Sequence, residues 1–211
     1  PRLRLDVAVQ EPVLHANETL HATVSARYLF GAPVQQGHID WELSRSGPAA
    51  LPSRWSDLIA GPASASVRYQ VLAEETVDLD SDGSIDIEGI VQMTVPRRTR
   101  FELSVSAEDA SGDNTSSTRS FTVYPGAVEI GMAAGDDWVS LGTPLEARVV
   151  AFDPTGEPVL NTPIQVTVTR EGWHGWWEWH GGSEDGALQL RRAREEQTVA
   201  TCQLVSTAEL L

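Results

Sequence analysis

The chain carries 30 acidic and 15 basic residues over 211 positions, a formal charge of −15, with 41% hydrophobic and 21% charged residues. That acidity removes the basic footprint on which nucleic-acid affinity rests, and it opposes anionic lipid headgroups. The hydrophobic share suffices for a core, the length suits one large or two small domains, and no apolar run approaches the ~18–20 residues of a membrane span. The sequence opens at Pro1 without a signal-peptide pattern, which reads as a piece of something longer. The single cysteine, Cys202, excludes an internal disulfide framework and is expected to be a buried thiol suited to either redox compartment.

Alternation of apolar and polar residues runs the length of the chain. Leu3, Leu5, Val7 and Val9 begin it, followed by Leu20, Ala22, Val24 and Ala26, then Ile39, Trp41 and Leu43. An odd-numbered phase continues through Ile85, Ile87, Val91, Met93 and Val95, and again through Phe101, Leu103, Val105 and Ala107. Leu145, Ala147, Val149 and Ala151 precede Ile164, Val166 and Val168. A period of two places one set of side chains on one face of a pleated strand, so each stretch predicts a half-buried strand. Ala187–Gln197 is rich in Leu, Arg and Glu, but Leu188 and Leu190 alternate too, so it reads as strand or irregular chain. Gly31, Gly112 and Gly156 supply turns, and Asp109 and Asp153 sit three residues before two of them, as in hairpins built on type I turns. The fold class is all-β, of the antiparallel sandwich kind.

A shift of 125 positions aligns two segments without a gap. Leu20, Ala22, Val24 and Ala26 fall on Leu145, Ala147, Val149 and Ala151, and Gly31, Pro33 and Val34 fall on Gly156, Pro158 and Val159. Ile39 falls on Ile164, and Arg45 on Arg170. One β-unit used twice implies two sandwiches in tandem, the first over 1–124 and the second over 125–211, joined at Pro125-Gly126. The second is short and is expected to lack its last strand. Relative motion between such domains is the default expectation.

Two motifs carry candidate chemistry. Asp78, Asp80 and Asp82, followed by Gly83, match the opening of a calcium loop, but Gly89 stands where the closing bidentate acid belongs. The flanking strand phases favour a solvated hairpin turn at 81–83 instead. The run Trp173-His174-Gly175-Trp176-Trp177-Glu178-Trp179-His180 is the second. In an extended strand His174 and His180 stand about 20 Å apart, too far for one metal with bonds of ~2 Å. A sugar-stacking platform is one reading of the four tryptophans. The favoured one is that Trp173, Trp176, Trp177 and Trp179 occupy both faces of a strand, so that one face contacts a neighbouring domain. No Gly-x-Ser-x-Gly elbow, phosphate loop or pairable carboxylates occur, so neither catalysis nor a cofactor is expected.

Ala26-Arg27-Tyr28-Leu29-Phe30-Gly31-Ala32-Pro33-Val34 resembles the Tyr-Leu-aromatic-Gly-Ala-Pro segment of bacterial α2-macroglobulins. Phe121-Thr122-Val123-Tyr124-Pro125-Gly126, with Ile130-Gly131 and Gly142-x-Pro144, resembles the start of that family's next macroglobulin-like domain. Ala151–Gly156 followed by Arg170-Glu171 and the tryptophan strand fits the same domain. The resemblance implies two macroglobulin-like (fibronectin-III- or immunoglobulin-like) sandwiches ahead of the bait region of a protease trap. It further implies a periplasmic parent, lipid-anchored at the inner membrane, whose partners are its own neighbouring domains and target proteases. The family's Cys-x-Glu-Gln thioester is not matched at Cys202, which is followed by Gln203, Leu204 and Val205. The segment therefore reads as non-catalytic scaffold. The alternatives are a carbohydrate-binding module using the tryptophans, or an adhesin segment stiffened by calcium at Asp78, Asp80 and Asp82.

Overall fold

The computed structural model describes residues 2–62, 66–135, 138, 140, 142–180 and 187–207, without the side chains of 179, 180 and 187–189. The first nine strands are β1 (Leu3–Val9), β2 (Leu14–His15), β3 (Thr19–Tyr28), β4 (Gly37–Pro48), β5 (Ile59–Ala60), β6 (Gln70–Asp78), β7 (Ser84–Ile90), β8 (Thr99–Asp109) and β9 (Asn114–Tyr124). Four more follow: β10 (Glu129–Ala134), β11 (Ala147–Phe152), β12 (Pro163–His180) and β13 (Ala187–Val205). A 3₁₀ turn, Ser53–Trp55, precedes β5. The chain forms two compact units, one running through Val159 and the other beginning at Leu160.

In the first unit, a three-stranded sheet ordered β1-β3-β7 faces a five-stranded sheet ordered β2-β9-β8-β4-β6. The pairs are antiparallel except for the short parallel bridge of β2 to β9. The alternating residues behave as their phase demands. Leu20, Val24 and Ala26 of β3, Ile39 and Leu43 of β4, and Phe101 and Leu103 of β8 are all buried in one core. β6 and β7 do not form a hairpin, although the sequence suggests one at 81–83. β6 pairs with β4 and β7 with β3, so the link crosses from one sheet to the other as an arch. Leu79 is buried beneath this link, anchoring it to the core.

The repeat read from the sequence is present in the backbone. Shifted by 125, the register Arg4↔Arg27 of β1 and β3 falls on Glu129↔Phe152 of β10 and β11, and Val9↔Ala22 falls on Ala134↔Ala147. The bridge Arg27↔Pro33 recurs as Phe152↔Pro158. Three backbone hydrogen bonds of the turn at 28–34 recur at 153–159, including Gly31 N–H to Tyr28 O and Gly156 N–H to Asp153 O. Even the bulge of the β4–β6 pairing after Leu43 recurs in the β12–β13 pairing after Val168. β10, β11, β12 and β13 thus repeat β1, β3, β4 and β6, while β7, β8 and β9 have no counterpart among the described residues.

The joint between the copies carries strand pairing and apolar packing of its own. The segment between β4 and β6 reaches out of the first sandwich, and its β5 pairs with β10 in a sheet ordered β11-β10-β5. A second, separate apolar cluster fills this joint: Trp55, Leu58, Ala60, Val150 and Phe152. The Trp55 ring stacks on Phe152 with centroids 6.1 Å apart, and its indole N–H donates to Gly156 O at 2.8 Å. This explains why Val150 and Phe152 are buried although sequence alternation marks only Val149 and Ala151 as inward: β11 is covered on both faces. Leu145, expected inward, is exposed.

Beside the cluster, Arg98 and Glu129 form a buried ion pair, with Nη2 to Oε1 at 2.5 Å and Nε to both carboxylate oxygens at 3.2 Å. Arg98 Nη1 also donates to Ala50 O at 3.1 Å, and its guanidinium lies over the rings of Tyr124 and Phe152. Every polar end of the pair thus has a partner, which is the condition for placing charge in an interior.

The equivalent glycines test the repeat. Gly31 (φ +96°) and Gly156 (φ +93°) both occupy the left-handed region, where a side chain costs about 1–2 kcal/mol. A Cβ on Gly31 meets open space, whereas one on Gly156 would stand 2.8 Å from Pro52 carbons. In urea unfolding, Gly31→Ala is expected to cost about that conformational amount and Gly156→Ala distinctly more. Equal losses would mean that the Pro52 contact does not constrain the joint.

Asp153 organises its turn by accepting hydrogen bonds from Thr155 Oγ1 (2.7 Å), Thr155 N (2.9 Å) and Glu157 N (2.9 Å) on one oxygen. Asp109 does the same for Ser111 and Asp113. The Thr155 hydroxyl, aided by backbone donors and only partly opposed by desolvation, lowers the Asp153 pKa from its ordinary 3.8. A carboxylate depressed in the folded state contributes stability above its unfolded pKa and loses it as pH falls through the folded value. The wild-type turn is therefore expected to weaken below pH ~4. Asp153→Asn should lack that portion of the acid dependence when stability is followed against pH. Identical acid profiles for the two proteins would refute the assignment.

Candidate contact surface

β12 and β13 form a two-stranded antiparallel hairpin of 18 and 19 residues, paired from Pro163↔Val205 to His180↔Ala187. The stretch read as strand or irregular at 187–197 is strand throughout. The base of the hairpin is closed by Ser206, whose N–H donates to Thr162 O and whose carbonyl accepts from Asn161 N, both at 2.9 Å. Ile164 is buried near that base. Beyond the bulge after Val168 the described side chains are mostly exposed.

The tryptophans lie in this outer part. Trp173 is 67% exposed, Trp176 49% and Trp177 66%. No bulge interrupts 169–180, so strand alternation sets Trp173 and Trp177 on one face, about 13 Å apart along the strand, and Trp176 on the other. Trp179 belongs to β12, but its side chain lies outside the described residues. Across the hairpin, Trp173 stands opposite Arg194, Trp176 opposite Arg191 and Trp177 opposite Leu190.

Charged side chains pair across the strands on both faces. Arg191 Nε meets Glu178 at 2.9 Å, His174 Nε2 meets Glu195 at 2.7 Å, and Arg194 pairs with Glu171 across the hairpin and with Glu196 along its own strand. These groups are all well exposed, so each pair contributes little in water. They keep the edges charged and discourage random pairing of a long exposed strand. Cys202, expected buried, is exposed on β13, with its thiol directed at Val166 O.

The three aspartates of the acidic loop lie at the surface. Asp78 ends β6 and is exposed, as are Asp80 and Asp82. One oxygen of Asp82 accepts from the Ser84 hydroxyl at 2.8 Å and from Ser84 N at 3.3 Å. The Ser84 hydroxyl is the leading cause of the lowered Asp82 pKa. Gly83, at φ +73°, donates its N–H to Asp80 O and packs where a Cβ would stand 2.7 Å from Ala26 O. The loop thus serves its own turn geometry. Among the described residues no three His, Cys, Asp or Glu side chains converge on a metal position. His15, His21 and His38 lie on β2, β3 and β4, with His21 Nδ1 2.5 Å from a Glu11 oxygen.

Comparison with known proteins follows the same lines. Residues 1–125 match the model of the bacterial alpha-2-macroglobulin MG5 domain. An alpha-2-macroglobulin homolog from Nostoc sp. is 21% identical over 99% of the chain, which spans 11% of that protein's length. The native conformation of Escherichia coli alpha-2-macroglobulin matches with a TM-score of 0.62 at 18% identity, covering 99% of this chain and 15% of that one. Salmonella alpha-2-macroglobulin reacted with methylamine matches at 0.64 and 19% over the same shares, and the E. coli protein activated by porcine elastase at 0.68 and 16%, covering 19% of its chain. The structural likenesses establish the fold, and the domain model, which covers more than half of the sequence, establishes the family: the chain belongs to the bacterial α2-macroglobulins.

Proposed function

We propose that this segment is non-catalytic scaffold within a protease-trapping inhibitor, built as two macroglobulin-like domains over 1–124 and 125–211. The observation that carries the reading is the match of 1–125 to the macroglobulin domain model. The 125-residue repeat in strand register supports extending it to the rest of the chain. The proposal includes the parent's place outside the cytoplasm, in the periplasm and lipid-anchored to the inner membrane. It includes target proteases and neighbouring domains as partners, and it assigns no metal to Asp78, Asp80 and Asp82. The relatives favour neither a carbohydrate-binding nor an adhesin role.

The test is incubation of the full-length protein with trypsin. Mass spectrometry should find one preferred cleavage outside these 211 residues, and the bound protease should be shielded from a macromolecular substrate. Cleavage without shielding would remove the inhibitor role.

The proposal assigns Trp173, Trp176, Trp177 and Trp179 to contact with an adjoining domain, a role supported by the exposure of the first three. In the 211-residue chain, Trp173→Ala with Trp177→Ala is expected to shift stability by no more than about 0.5 kcal/mol, as for exposed sites. In the full-length protein the same pair should lower the thermal midpoint clearly. Equally small changes in both would set these residues aside as surface.

A further inference from the structure

The turn at 28–33 and the turn at 153–158 are the same element in the two copies, yet only one of them is covered. In the second copy the covering comes from the segment 51–60 of the copy before it. Pro52 packs against Gly156, the Trp55 indole donates to Gly156 O, and Arg54 pairs with Glu157 at 3.3 Å. In the first copy nothing lies within 4 Å of a Cβ built on Gly31. The tip of that turn carries Leu29, 70% exposed, and Phe30, 80% exposed. Phe30 stacks on Tyr28, with centroids 5.2 Å apart and planes 3° from parallel, and the Tyr28 hydroxyl donates to Asp109 at 3.1 Å. An aromatic side chain is thus held in a fixed orientation and pointed at solvent, beside a hollow lined by Arg2, Asp109 and Asp113.

We propose that Tyr28, Leu29 and Phe30 form the docking surface for a proline- and aromatic-bearing loop of the sandwich that precedes this one in the full-length chain. Three observations name that occupant. The equivalent turn is covered by a loop of that composition. That loop comes from the copy N-terminal to it, not from a later one. Leu29 N–H donates to Arg2 O at 2.9 Å, so the chain enters this sandwich at Arg2 beside the turn, and the matching registers Arg4↔Arg27 and Glu129↔Phe152 start the two copies at equivalent places. Exposed apolar patches of this kind mark contact sites when they are rigid and rimmed by polar groups. The inference rests on family membership and not on protease trapping.

The test places the photo-reactive residue p-benzoylphenylalanine at position 30 of the full-length protein. Phe30 is exposed, so the substitution leaves the core alone. After irradiation, the cross-linked peptide is expected to lie N-terminal to Arg2, within a species of monomer mass. The same probe at Glu157 captures 51–58 and sets the yield. Capture of peptides from a second molecule, from beyond residue 211, or of none at position 30 would overturn the proposal. As a second readout, Leu29→Asp with Phe30→Asp should raise hydrogen exchange in the preceding domain at least several-fold, and unchanged exchange there would also overturn it. Loss of inhibition with the cross-link intact would instead remove the protease-trap reading.

Discussion

In urea unfolding, Glu129→Ala is expected to destabilise the joint by about 3–5 kcal/mol, the cost of leaving a buried charge without its partner. Arg98 is only 4% exposed, and its remaining contacts are the Ala50 carbonyl and two aromatic faces. Those contacts orient a cation but do not neutralise it. The companion variant separates charge from packing. Arg98→Met with Glu129→Leu removes both ions and keeps apolar bulk, so it should recover most of the loss. If the double variant were as unstable as the single one, shape and not charge would govern the site. A loss below about 1 kcal/mol in the single variant would mean that water reaches the pair, as it does at surface bridges.

Trp55→Ala should cost a similar amount, about 3–5 kcal/mol, the range for removing a large aromatic from a packed core. The effect has a place as well as a size. Trp55 belongs to the cluster with Leu58, Ala60, Val150 and Phe152, separate from the main core. Amides of β10 and β5 should therefore lose protection from hydrogen exchange, while those of β3 and β8 keep theirs. Trp55→Phe isolates the indole hydrogen bond. It should cost about 1–3 kcal/mol, because the buried Gly156 carbonyl loses its donor. Uniform loss of protection across both clusters would show that the joint and the first sandwich unfold as one unit.

Much of the fold is legible in the sequence because its strands are half-buried. Leu20, Val24, Phe101 and Leu103 alternate with polar residues and are buried as that phase requires. The repeat is legible for a related reason. Gly31 and Gly156 share a left-handed conformation that few residues tolerate, and Pro33 and Pro158 hold equivalent bridges. The joint is much less so. Leu51–Ala60 has no alternation, and its Trp55 and Leu58 find their partners about a hundred positions later, at Gly156, Val150 and Phe152. Nothing local in a sequence names a partner so far away. The acidic arch misleads for a similar reason: turn chemistry fixes the bend at Gly83 but not which sheet each arm joins. At the tryptophan hairpin, composition announces exposed aromatics, while the ion pairs that charge its faces follow only from the pairing register.

The strand β5 also sets a direction of assembly. The two-stranded ladder of β10 and β11 is completed by residues made about seventy positions earlier, on a loop anchored at both ends in the first sandwich. Chains leave the ribosome from the N-terminus, and domains tend to fold as they emerge. The first sandwich therefore presents Ile59–Ala60 and the Trp55 ring before β10 exists. The first copy thus offers a ready-made edge and apolar surface to the second, so the order of synthesis matches the direction in which the joint is completed.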